Sequence, residues 1–177
     1  MTGRHKLTLM LLAILLGGCA STAMVLPPPP SALPENDQKI VPGQRLGNLV
    51  IGMSDRQVYQ LLGEPQMTAD APRGFTYAYR PAAVSVDTYE ATQQVEEIAT
   101  SNQAYSTAEG VRVGDTMLSL RSNYGEPDKI IPGGPDGTEW SIYCYEKLGL
   151  FAWLDQGAKI TSLGVFRPGN YCLGTER

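Results

Sequence analysis

The stretch Leu49-Val50-Ile51-Gly52-Met53-Ser54 through Leu62-Gly63-Glu64-Pro65 occurs twice in this chain. It returns as Val111-Arg112-Val113-Gly114-Asp115-Thr116 through Tyr124-Gly125-Glu126-Pro127, at a constant offset of 62. Beyond the Gly-Glu-Pro the offset reads as 65. Phe75 then matches Trp140, Tyr77 matches Ile142, Tyr89 matches Leu154, Val95 matches Ile160 and Ile98 matches Leu163. One three-residue insertion in the Pro/Gly-rich stretch 128–139 accounts for the change. Two copies of a unit of about 60 residues follow, too few for a solenoid.

Each copy has the same physical grammar. Ser54 is a good N-cap, and Gln57 three residues on completes a capping box. Val58, Leu61 and Leu62 share one helical face. Gly63 supplies the backbone freedom that closes a helix, and Pro65 forbids its continuation. In the second copy Thr116 takes the cap, Met117, Leu120 and Tyr124 the face, and Gly125 and Pro127 the stop. Gly52 and Gly114 precede the caps, where the chain turns sharply into the helix. Alternating runs come next, with Phe75, Tyr77 and Tyr79 matched by Trp140, Ile142 and Cys144. Further strands are expected near 83–89 and 94–101, and near 148–154 and 159–166. Their short connections make them antiparallel neighbours. The expected fold class is α+β: two tandem repeats, each one or two short helices packed on a three- to four-stranded antiparallel sheet.

Upstream, Arg4, His5 and Lys6 form a basic head before an apolar run from Leu7 to Leu16. The run is too short for a permanent span and reads as a signal-peptide core. It ends in Leu16-Gly17-Gly18-Cys19, which resembles the bacterial lipobox; the likeness makes Leu16, Gly17 and Gly18 the peptidase recognition segment and Cys19 the lipidated N-terminus. Ala20 follows Cys19 where an Asp would signal inner-membrane retention, so the implied address is the outer membrane, facing the periplasm. Multiple acyl chains anchor far more firmly than one. Pro27 to Pro30 and Pro34 then mark a stiff tether in polyproline II, extending ~3.1 Å per residue. The expected organisation is a leader at 1–18, lipidated cysteine and tether at 19–40, a first repeat at 41–102, and a second repeat with C-terminal tail at 103–177.

Of 177 residues 42% are hydrophobic, enough for a packed core, and the formal charge is −4. With no Lys/Arg run, the chain is a poor nucleic-acid binder. The sole histidine, His5, lies in the leader. Histidine triads and histidine metal sites are thereby excluded from the rest of the chain. The chain is expected to be non-enzymatic, without cofactor or metal.

Ile51-Gly52-Met53-Ser54, Gln57-Val58 and Leu62-Gly63-Glu64-Pro65 resemble the signature of the BamE/SmpA/OmlA type of small outer-membrane lipoprotein. The second copy departs from it at Asp115-Thr116. A tandem pair of such units also resembles the β-lactamase inhibitory protein fold, whose joined sheets form a concave binding face. The resemblance implies a non-enzymatic role in the cell envelope, as in β-barrel assembly, through a protein partner. A hydrolase inhibitor that uses its sheet face is the alternative.

The acidic residues Glu90, Glu96, Glu97, Asp128, Asp136 and Glu139 read as solvated turn and edge positions. Glu96 and Glu97, adjacent in a strand, are expected on opposite faces. Gly133-Gly134-Pro135-Asp136-Gly137 lacks the Lys-Ser/Thr of a phosphate loop. With Cys19 lipidated, Cys144 and Cys172 remain. An oxidising periplasm favours a bridge between them, while a core-facing Cys144 fits a free buried thiol. If Trp140, Ile142 and Cys144 face the helices, then Ser141, Tyr143 and Tyr145 face outward, as do Thr76, Ala78 and Arg80 in the first copy. Tyr143, Tyr145 and Arg80 are the expected partner-binding residues, because exposed aromatics make interface hot spots.

Overall fold

The computed structural model describes residues 36–170 and 172. The expected leader, the Leu16–Cys19 box and the proline-rich part of the tether lie outside the described residues. The described elements are β1 (Lys39–Val41), β2 (Arg45–Leu46), β3 (Leu49–Val50), α1 (Asp55–Leu62), β4 (Met67–Ala71), β5 (Gly74–Tyr79), β6 (Val84–Tyr89), β7 (Gln94–Thr100), β8 (Ser106–Thr107), α2 (Met117–Tyr124), β9 (Lys129–Gly133), β10 (Trp140–Tyr145), β11 (Leu150–Asp155) and β12 (Ile160–Phe166).

The helices begin and end where their chemistry directs. Gln57 N–H donates to Ser54 Oγ at 3.4 Å and Ser54 N–H donates to Gln57 Oε1 at 2.9 Å, a closed capping box. Thr116 caps α2 by accepting from Ser119 N–H at 3.4 Å. At the far ends Gly63 and Gly125 adopt φ of 75° and 77° with ψ near −155°, a conformation that a Cβ forbids. Pro65 and Pro127 lie in the short links to β4 and β9. Ahead of the caps, Gly52 N–H donates to Val95 O and Gly114 N–H to Ile160 O, each at 2.8 Å. The helix starts are thus stitched to β7 and β12.

The strands overturn the expected fold class. The protein is mostly β, and its helices do not sit on two separate three- to four-stranded sheets. Eight strands form one antiparallel sheet in the order β4-β5-β6-β7-β12-β11-β10-β9. Leu163 pairs with Thr100 and Val165 with Ile98, so the segments 41–102 and 103–177 meet at the middle of a shared sheet. A second, mixed sheet of order β3-β2-β1-β8 was not foreseen. Its β1 pairs parallel with β8 through Ile40 and Thr107. Ile40 is buried, so the end of the expected tether is core.

One large cluster joins these parts. Val58 of α1, Leu120 of α2, and Ile40, Leu46 and Leu49 of the small sheet pack with Val84, Val86, Val95, Ile98, Leu154, Leu163 and Val165. Burying each such side chain contributes ~1.5–3 kcal/mol. The two helices and the small sheet therefore cover one face of the large sheet and leave the other to a separate, smaller cluster.

The expected faces of β10 are reversed. Tyr79 closes against Val84 and Tyr145 against Leu150, so Tyr143 and Tyr145 correspond to Tyr77 and Tyr79. The offset in β10 and β11 is 66, and a one-residue slip sends every side chain to the opposite face. Tyr143 and Tyr145 are only 7% and 2% exposed, within the core beneath α2. Tyr143 OH donates to Met117 Sδ at 2.8 Å and Tyr145 OH to Gly125 O at 3.1 Å. Burial pushes the Tyr145 hydroxyl up to about 12. They are core residues here, and the reading of them as exposed partner-binding residues is corrected.

Candidate binding face

The uncovered face of the large sheet is built from the other half of each strand's alternation. One row runs across six strands: Ala78, Ser85, Ala99, Gly164, Phe151 and Cys144. A second holds Thr76, Asp87, Glu97 and Phe166. The two ends of the face differ in chemistry. Towards β9–β11, Ile142, Cys144, Phe151, Phe166 and Cys172 form a buried cluster, with Ile131, Trp140 and Trp153 at its margin. Glycines let the rings lie flat there: a Cβ on Gly164 would meet Phe151 Cζ at 2.2 Å, and one on Gly133 would meet the Trp140 ring at 2.0 Å. Trp140 and Trp153 lie 4.8 Å apart between ring centroids. Cys144 is bonded to Cys172, which fastens the C-terminal segment to this end of the face.

Towards β5–β7 the floor is small and polar. Thr76, Ser85, Asp87, Glu97, Ala99, Thr161 and Ser162, with Phe151 and Trp153 as a wall, enclose a groove of about 420 Å³. A neighbouring hollow of about 300 Å³ runs past Ala78, Ala83, Thr100 and Ser101 and is bordered by Arg80. Arg80, in the 3-10 turn after β5, is thus the one expected partner-binding residue that reaches this face. Asp87 is directly opposite Glu97 in the register. Burial raises the Asp87 carboxyl above its usual range, and a hydrogen bond from Thr76 works against that rise.

A bulge changes the expected placement of the neighbouring acids. Asp87 pairs with Glu97 and Thr88 with Val95, which leaves Glu96 as the extra residue. Glu96 and Glu97 consequently border the same small hollow beside Asp87, Phe166 and Asn170, rather than opposite faces. Glu96 is held by Arg167 at 3.3 Å and by Asn170 Nδ2 at 2.8 Å. Sequence reading missed Asp87. The signal was present in Val84-Ser85-Val86-Asp87-Thr88, whose alternation puts Ser85 and Asp87 on one face. Among the described residues no group of three or more His, Cys, Asp or Glu could hold a metal ion. No described helix is long and apolar enough to cross a membrane.

No family model matches the chain, and no curated protein matches it. Solved structures resemble it at low identity. A DUF4309 family protein (YjgB) from Bacillus subtilis is 15% identical, with a TM-score of 0.49 over 71% of this chain and 88% of that one. The uncharacterized protein YfeY from Escherichia coli is 10% identical, with a TM-score of 0.45 over 72% of this chain and 99% of that one. An extracellular protein containing a SCP domain from Bacillus anthracis is 11% identical, with a TM-score of 0.46 over 66% of this chain and 44% of that one. This chain therefore spans less than half the length of the last. At such identities and scores these likenesses assign neither family nor function.

Proposed function

We propose that the chain is a lipid-anchored, non-enzymatic binding module of the outer membrane, facing the periplasm and serving envelope or β-barrel assembly or maintenance. In this reading Cys19 carries the lipid and residues 20–35 hold the folded part away from the bilayer. The folded part receives a protein partner on the uncovered face of the large sheet. The observation that carries the reading is the asymmetry of that sheet. One face is closed by α1, α2 and the small sheet. On the other, Ala78, Ser85, Ala99 and Ser162 leave a groove walled by Trp153. Shape of this kind, with a large aromatic beside small polar residues, suits a side chain or loop of a folded partner. The likeness of Gly52 to Pro65 to the BamE/SmpA/OmlA signature supports the envelope setting.

Two experiments test the parts separately. Palmitate labelling in bacterial cells should mark the wild-type chain and fail with Cys19→Ser; equal labelling of both overturns the anchor. For the face, Ser85→Arg fills the groove at an exposed-side position without entering the core. It should abolish co-purification of the partner while melting stays near wild type. Undiminished capture overturns the assignment of this face. Loss of a host hydrolase's activity on adding the protein would move the function to inhibition.

A further inference from the structure

A second recess lies on the helix side of the sheet, apart from the face described above. Asp55, Arg56, Tyr59 and Gln60 of α1 and Tyr77 and Tyr79 of β5 enclose about 500 Å³. Phe75 stacks beside Tyr77 with ring centroids 6.4 Å apart. Tyr59 is 47% exposed and forms the outer wall. Tyr77 OH donates to Asp55 Oδ2 at 3.3 Å. The other oxygen, Asp55 Oδ1, is buried and has no hydrogen-bond partner among the described residues. A buried carboxylate oxygen without a donor is costly, and its residue, Asp55, lines this tyrosine-walled recess.

The corresponding place under α2 shows what such a recess accommodates. The caps Ser54 and Thr116 align Asp55 with Met117 and Tyr59 with Arg121. The closing strand pairs align Tyr77 with Tyr143 and Tyr79 with Tyr145. There the Arg121 guanidinium lies over the Tyr143 ring, 5.5 Å from its centroid. Arg121 is anchored by Glu126 at 2.9 Å, and Met117 Sδ takes the Tyr143 hydroxyl. The chain fills this recess with its own cation. Under α1 the cation is replaced by Tyr59, and the thioether by the carboxylate of Asp55. The position of Arg121 thus carries no cation under α1, and the position of Met117 carries a negative charge.

We infer that the recess under α1 is a recognition site for an arginine side chain of a partner protein. The guanidinium stacks on Tyr59 and Tyr77 and pairs with the Asp55 carboxylate, whose Oδ1 takes an N–H once the side chain turns into the recess. Arginine fits better than a quaternary ammonium because the orphan oxygen requires an N–H donor. Arg56 is exposed at the mouth and is the chain's own competitor for the place.

The test uses the full chain in detergent, with tyrosine ring resonances followed by NMR. The probe is arginine blocked as N-acetyl-arginine methylamide, with the neutral citrulline analogue as control. Saturable shifts confined to Tyr59, Tyr77 and Tyr79 are expected with the arginine probe. They should weaken tenfold or more with citrulline and with Asp55→Asn. Tyr59→Arg, which installs the cation of the second recess at an exposed position, should keep the fold and abolish binding. Arg56→Ala should bind the probe at least as well as wild type. Equal binding of citrulline, or retained binding in Tyr59→Arg, overturns the inference. So does tighter binding of free arginine than of the blocked probe, which would make the ligand an amino acid.

Discussion

Gly164→Ala is the sharpest perturbation of the uncovered face. Gly164 sits in mid-strand, where glycine weakens a sheet unless something needs the space. Phe151 needs it: an added Cβ would stand 2.2 Å from Phe151 Cζ, 2.3 Å from Cε1 and 2.8 Å from Ile98 O. The ring must swing aside, yet it is fully buried against Phe166 with centroids 6.2 Å apart. Overpacking of this kind costs ~1–3 kcal/mol. In a domain of this size each 1 kcal/mol lowers Tm by about 2–4 °C. Phe151→Leu removes the ring atoms that clash and costs on the order of 1 kcal/mol by itself. In urea titrations of the two single variants and the double variant, the double should lose less than the sum, with a coupling of ~0.5–2 kcal/mol. Ile98 O still limits the rescue to a partial one. A Gly164→Ala protein within about 0.5 kcal/mol of wild type would refute the reasoning, because the ring would then not lie across β12.

The other expectations follow from burial, charge and connectivity. Tyr143→Ala with Tyr145→Ala should cost well over 3 kcal/mol by urea denaturation; near-normal stability would return both tyrosines to the surface. Asp87 has a folded-state carboxyl raised by burial, so its ionisation opposes folding. That penalty is absent below the unfolded value and complete once pH passes the folded one. Asp87→Asn should therefore gain stability over wild type increasingly as pH rises from about 4, and a difference independent of pH would contradict this. The Cys144–Cys172 bridge closes a separation of 28 residues. Its removal should cost on the order of 3 kcal/mol in the chain-entropy model; two alkylatable thiols in the unreduced protein would contradict the pairing.

Much of this architecture is legible in local chemistry. The Ser54–Gln57 box and the Gly63 and Gly125 stops mark both helices because capping is settled within one turn. The centre of the sheet is also legible, since Val95 and Ile98 do correspond to Ile160 and Leu163 at an offset of 65. The strands between are not. The β9–β10 connection is four residues longer than its β4–β5 counterpart, and the turn closed by Asp155 and Lys159 is one residue shorter than the one closed by Tyr89 and Gln94. Together the two changes leave a net gain of three residues by the last strand, so a single three-residue insertion fits both ends while misplacing β10 and β11 by one. In a strand that error is total: it exchanged Tyr143 and Tyr145 for Ile142 and Cys144. The small sheet escaped notice for another reason. Strands of two or three residues carry no alternation, and β1 finds its parallel partner β8 across more than 60 residues.

The central claim is that the uncovered face receives the partner. A photo-crosslinking residue placed in turn at Ser85, Ser162 and Leu118 in intact cells tests it most directly. Leu118 is 70% exposed on α2 and serves as the control on the covered side. The account predicts one adduct of the same mass from Ser85 and Ser162, absent from Leu118 and lost when Trp153 is also replaced by Ala. An adduct from Leu118 alone, or equally from all three positions, would contradict it.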